Sequence, residues 1–148
     1  MKTFILLSVL LATWPIAAKT GVVSIRSNNP VEETVQKFTT ALNSKGLTLF
    51  SVIDHHANAQ QADLELKPST LIIFGNPKIG TKLMQCAATM AIDLPQKVLV
   101  WEDENKAVWL SYNNPEYVKE RHQMKGCDDV IEKVAKVLAA LSINATQA

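Results

Sequence analysis

Two short alternating runs, Gln96–Trp101 and Lys106–Tyr112, flank the charged turn Glu102-Asp103-Glu104-Asn105 and constrain this chain more than any other feature. Apolar residues at every second position mark strands with one buried face, and a polar connection between two such runs marks a hairpin. Hairpin strands pair antiparallel, so a doubly wound parallel fold, which needs a helix after every strand, fails here. On the second arm Val108, Leu110 and Tyr112 point one way, and Ala107, Trp109 and Ser111 the other. One of these faces has to meet helices.

The segments before the hairpin supply both partners. Gly21–Ser27 is rich in β-branched residues and reads as a strand. Asn29 is placed to cap a helix and Pro30 to open it; Val31, Val35, Phe38 and Leu42 recur at helical spacing, and Lys45-Gly46 ends the element. Leu47–Asp54 is a second strand that delivers Asp54, His55 and His56 to its end, and the following polar segment up to Pro68 is read as a loop or a single helical turn. Ser69–Phe74 is apolar throughout, the pattern of a central strand buried on both faces. Asn76 and Pro77 then start a helix with Leu83, Met84, Ala87, Ala88 and Ala91 on its apolar side, stopped at Leu94-Pro95.

Beyond the hairpin, Asn114-Pro115 repeats the start signal for a short helix through His122. The last helix follows Gly126, with Asp128 and Asp129 in its first turn and a stripe of Val130, Ile131, Val134, Val137, Leu138 and Leu141. Residues 144–148 are expected to be a disordered tail. The chain reads as α+β, with one antiparallel or mixed sheet packed against helices.

The first 18 residues pair Lys2 with the apolar run Phe4–Leu11, then Pro15 and Ala17-Ala18, which is the pattern of a cleaved secretory signal peptide. The run is too short to span a bilayer, so no stable membrane insertion is expected after cleavage, and the product is periplasmic or secreted. Residues 19–143 are long enough for one domain with its own core. The net charge of +1 and the lack of a Lys/Arg run exclude a nucleic-acid partner. In an oxidising compartment Cys86 and Cys127 are expected to form a disulfide. Their spacing fits neither a redox CxxC nor a zinc pattern.

Four linked segments, FGNPKIGT (74–81), IDLPQKVLVWED (92–103), VWLSYNNPEYV (108–118) and RH (121–122), preceded by IDH (53–55), resemble the motif series of the "domain of unknown function 302" family. The resemblance covers essentially the whole mature chain. It implies a TATA-box-binding-protein-like arrangement, strand, helix, four strands, helix, with added helices. It implies no activity and hands over no catalytic residue.

Residue chemistry leaves several candidates. Gly75-Asn76-Pro77-Lys78-Ile79-Gly80-Thr81-Lys82 follows a strand and opens a helix like a phosphate loop, but Thr81 and Lys82 stand in the reverse of the required order and Pro77 removes an N–H. A small-anion site at Asn76, Lys78, Thr81 and Lys82 is the reduced form of that idea. His55 and His122 are weak candidates for a zinc or copper site, since imidazole suits both metals, while His-Asp and Arg-His pairs more often form structural networks. Cys86 and Cys127, if reversibly paired, would serve a thiol-dependent redox protein. Trp101, Trp109, Tyr112 and Tyr117 suggest a cupped aromatic pocket, with Asp54, His55, Arg121 and His122 at its rim. The expected function is non-enzymatic binding of a small molecule or protein partner, with a metal-binding protein or metal-assisted hydrolase as the alternative. No cofactor is expected, and the long hydrophobic faces are compatible with a homodimer.

Overall fold

The computed structural model describes residues 21–148; the expected signal peptide, 1–18, lies outside the described residues. Five strands, β1 (Val22–Ser27), β2 (Thr48–Asp54), β3 (Ser69–Gly75), β4 (Gln96–Glu102) and β5 (Val108–Asn113), form one sheet in the order β1-β5-β4-β3-β2. Every neighbouring pair is antiparallel. Among the described residues, five helices, α1 (Val31–Ser44), α2 (His55–Gln61), α3 (Pro77–Cys86), α4 (Pro115–Arg121) and α5 (Asp128–Thr146), and a short 3-10 turn at Ala88–Ile92 accompany the sheet. The order is the expected strand, helix, four strands, helix, with α2, α3 and α4 added.

The hairpin sets the faces as its alternation predicts. Val98, Val100, Leu110 and Tyr112 are buried together with Ile72 and Phe74 under α1 and α5. Phe38 of α1 meets Phe74 of β3 edge to face, with ring centroids 5.2 Å apart. A second apolar cluster, built from Leu83, Met90, Val118, Met124, Cys127 and Ile131, joins α3 and α4 to the first half of α5. Cys86 and Cys127 lie within it at disulfide distance, with Cα atoms 6.4 Å apart, inside the range a disulfide spans.

The long helices α1 and α5 cover one face of the sheet. β3 lies one position in from the edge and is buried on that face through Ile72 and Phe74, whereas Leu71 and Ile73 are half-buried. It is therefore not the doubly buried central strand that its apolar run suggests.

Two further corrections come from backbone hydrogen bonding. Pro30, not Asn29, is the N-cap of α1. Asn29 is buried and reaches the far end of the chain instead: its Nδ2 donates to the carbonyls of Ala145 (3.1 Å) and Gln147 (2.7 Å), and its Oδ1 accepts from Lys37 Nζ. Helix C-termini leave carbonyls without partners, and Asn29 occupies one belonging to α5. The supposed tail at 144–148 is accordingly ordered as far as that contact: α5 runs to Thr146, with Ala145 fully buried.

Candidate functional site

At the end of β3 the chain turns into α3 through a local cap. Asn76 Oδ1 accepts from the backbone N–H groups of Lys78 (2.9 Å) and Ile79 (3.4 Å), and Gly80 N–H donates to the carbonyl of Asn76. These donors are the ones an anion would use. The proposed anion site at Asn76, Lys78, Thr81 and Lys82 is thus a helix cap.

The same turn creates a larger feature. Between α3, α5 and this end of the sheet lies a cavity of about 400 Å³, bounded by Gly80 and Leu83 of α3, Val137 and Leu138 of α5, and Phe50 and Phe74 of the strands. That volume falls within the range of small-molecule sites. Two local features keep it open. Gly80 contributes no side chain, and a Cβ there would stand 3.8 Å from Leu94 Cδ1 with space around it. In β2 the register shifts between Leu49 and Ser51, leaving Phe50 as an inserted residue; such a bulge re-aims its side chain, and the Phe50 ring comes to rest beside Gly75.

The wall is apolar except at a few places. Thr81, Asn76 and Gln96 contribute polar groups, and Lys133 of α5 is the charged residue of the lining. Along α5 the lining residues pass from exposed Lys133, through half-buried Val134 and Val137, to buried Leu138. Lys133 therefore stands at the rim and Leu138 at the floor.

The residues singled out from sequence do not assemble into one site. The two tryptophans pair across β4 and β5 with ring centroids 6.5 Å apart and planes 26° from parallel. They occupy the face away from α1 and α5, where Trp101 Nε1 donates to Ser111 Oγ and Trp109 Nε1 to Asp103 Oδ2, both at 2.9 Å. The indole N–H holds the Asp103 carboxyl below its ordinary value of 3.8, reinforced by the Ala107 backbone N–H. Tyr112 points to the opposite face, where burial raises its phenol above 10.0. Tyr117 is exposed on α4, its ring lying over the backbone of Gly21. Two faces and an outer helix share the four rings, so these four do not cup a single pocket.

The rim residues are likewise divided. Asp54 pairs with Thr70 at one end of the sheet, and Thr48 with Gly75 at the other, a separation of roughly 20 Å along the strand. Asp54 Oδ1 caps α2 by accepting from Ala57 N–H. His55 opens that helix, and His56 fastens it to the next loop through Nδ1–H donating to Leu66 O. Arg121 and His122 belong to the other end, beside the turn that precedes β4. His122 Nε2–H donates to Asp93 Oδ2 at 2.6 Å, its Nδ1 lies 2.9 Å from Thr89 Oγ1, and Arg121 Nη1 donates to Asp93 Oδ1 at 3.3 Å. His55 and His122 cannot share a metal across that distance, and no group of three or more His, Cys, Asp or Glu arranged for a metal occurs among the described residues. Sequence reading overlooked Asp93 and Thr89, the partners of the Arg-His pair. It also overlooked the cavity, whose one legible signal is the small residues Gly80 of α3 and Ala91 of the 3-10 turn that follows it.

An antiparallel five-stranded sheet packed with helices and an apolar chamber at one end defines a single α+β domain of a recognisable kind. The chain belongs to the family described as "Domain of unknown function DUF302", whose model matches residues 23–141. Its fold is similar to the crystal structure of an uncharacterized conserved DUF302 protein from Bacillus stearothermophilus. The TM-score is 0.77 at 15% identity, over 84% of this chain and 98% of that one. Among curated proteins it is 42% identical over 113 residues to "Fluoride-specific ion channel FluC 1" of Brucella suis biovar 1 (strain 1330), a match covering 76% of this chain and 44% of that protein. The protein of that name from Brucella abortus biovar 1 (strain 9-941) matches at 42% identity over 42% of its length. The chain thus spans less than half of these curated relatives. Among the described residues, no helix is long and apolar enough to cross a membrane.

Proposed function

We propose that this domain is a non-catalytic receptor for a small, largely apolar ligand, held in the chamber between α3, α5 and the ends of β3 and β4. The chamber itself carries the reading: about 400 Å³ with apolar walls and few polar groups, the composition of a site that gains affinity from burying ligand surface. The domain works outside the cytoplasm, a reading supported by the leader-like first 18 residues and by the Cys86–Cys127 pair at disulfide distance.

Substituting Gly80→Leu tests the site. Leucine fills the chamber and suits a helix better than glycine by roughly 0.5–1 kcal/mol. Binding of an apolar fluorescent probe should fall at least tenfold while the variant unfolds no earlier than wild type. Unchanged probe binding would discard the chamber as the site. Native mass spectrometry of protein recovered from its own compartment then identifies any ligand carried along.

The curated relatives favour a second reading. They are named fluoride-specific ion channels, and the part they share with this chain would assist fluoride handling. Amide chemical shifts recorded during a fluoride titration separate the two: shifts at millimolar fluoride support this reading, and a silent spectrum removes it.

A further inference from the structure

The chamber is not symmetric in polarity, and that asymmetry narrows what fits it. Its floor is Phe74, Leu83 and Leu138, each at most 2% exposed. Its rim carries Lys133, the charged member of the lining. Lys133 forms no ion pair or side-chain hydrogen bond among the described residues, and Asp129, one turn earlier on α5, stands outside ion-pair distance. The neighbouring carboxylate, Glu132, is already paired with Lys136 at 2.6 Å. An unpaired ammonium beside an apolar chamber whose lining holds no carboxylate favours an occupant with a negative head and an apolar body.

We infer that the chamber takes an amphipathic monocarboxylate, its aliphatic or aromatic body seated against Phe74, Leu83 and Leu138 and its carboxylate paired with Lys133. This rests on the receptor reading above and adds the chemical class of the ligand. Lys133 is exposed and shares the lining with half-buried Val134 and Val137, an apolar rim over which a lysine stem can lie while its ammonium stays in water. Thr81 and Gln96, also in the lining, offer a hydroxyl and an amide as neutral donors to the same head group.

The test compares three probes with one tail on the full chain by titration calorimetry: decanoate, decanol and decyltrimethylammonium, each kept below its micellar concentration. Decanoate should bind about fivefold tighter than decanol, the upper end of what one solvent-facing ion pair supplies, and the cation should bind more weakly than either. Lys133→Gln should remove the advantage of decanoate and leave decanol unchanged, whereas Lys133→Arg should retain most of it. Equal affinities for decanoate and decanol, or a Lys133→Gln variant that still prefers the acid, would overturn the head-group assignment while leaving the receptor reading in place. If none of the three binds wild-type protein, the receptor reading falls with it.

Discussion

Asn29 and Asp103 are single residues whose side chains each hold several backbone groups in place. Asn29 is buried and spans from the start of α1 to the last carbonyls of α5. Replacing it by alanine strands buried acceptors, which costs about 1–3 kcal/mol. Urea unfolding of Asn29→Ala should report that loss, and hydrogen exchange should show the last turn of α5 opening first. Asp103 organises the hairpin turn, accepting from the backbone N–H groups of Asn105 and Ala107 and from Trp109 Nε1. Its carboxyl is held below 3.8 in the folded chain, so the folded state binds fewer protons than the unfolded one as pH approaches that value. Its contribution is complete above 3.8 and is lost as pH falls through the lower folded value. Asp103→Asn should therefore flatten the acid limb of the stability curve, as thermal melts between neutral and acid pH would show. The turn was legible as a turn because four consecutive polar residues interrupt two alternating runs. The partner of His122 was not, because Asp93 lies 29 positions away in an unremarkable loop, and only the fold brings the two together.

Among the elements, α5 joins the two apolar clusters, packing on α1 and the sheet through Leu138 and Leu141 and on α3 and α4 through Ile131. Cys86 and Cys127, at disulfide distance and 41 positions apart in sequence, set its first residues against the end of α3. By loop-closure entropy a bond there would contribute about 3–4 kcal/mol. The double variant Cys86→Ser/Cys127→Ser should lose stability of that order in denaturant unfolding, with α4 and the start of α5 least protected in hydrogen exchange. A loss well under 1 kcal/mol would point to a bond made for redox exchange. The strands were legible one by one, since β-branched and alternating patterns are local. Helix ends were less so: α3 stops at Cys86 and gives way to a 3-10 turn although its apolar side continues through Ala91, and α5 runs on past Asn144, where Asn29, more than a hundred residues earlier, donates to its free carbonyls.

The whole molecule has a chamber that no single segment announces. Its walls come from β2, β3, β4, α3 and α5, and Gly80 leaves one point of the α3 wall without a side chain. Periodicity identifies which residues turn inward, but not whether the space between them is filled. If decanoate occupies the chamber at about a hundred times its dissociation constant, wild-type unfolding should be displaced by about 2.7 kcal/mol. Differential scanning calorimetry should show that shift in wild type and none in Gly80→Leu. Such a result would locate the site by its thermodynamic linkage to folding, independent of any probe's own signal.

The tryptophan face of the hairpin offers an optical handle on all of this. Trp101 and Trp109 are held 6.5 Å apart and nearly parallel only while β4 and β5 keep their register. Indoles so close share their electronic excitations, so the folded protein should show a couplet in far-ultraviolet circular dichroism, two bands of opposite sign, that Trp109→Phe erases. Because the pair sits on the face away from the chamber, the couplet should stay constant as ligand is added. It would act as an internal clock for hairpin unfolding, read separately from occupancy in one and the same sample.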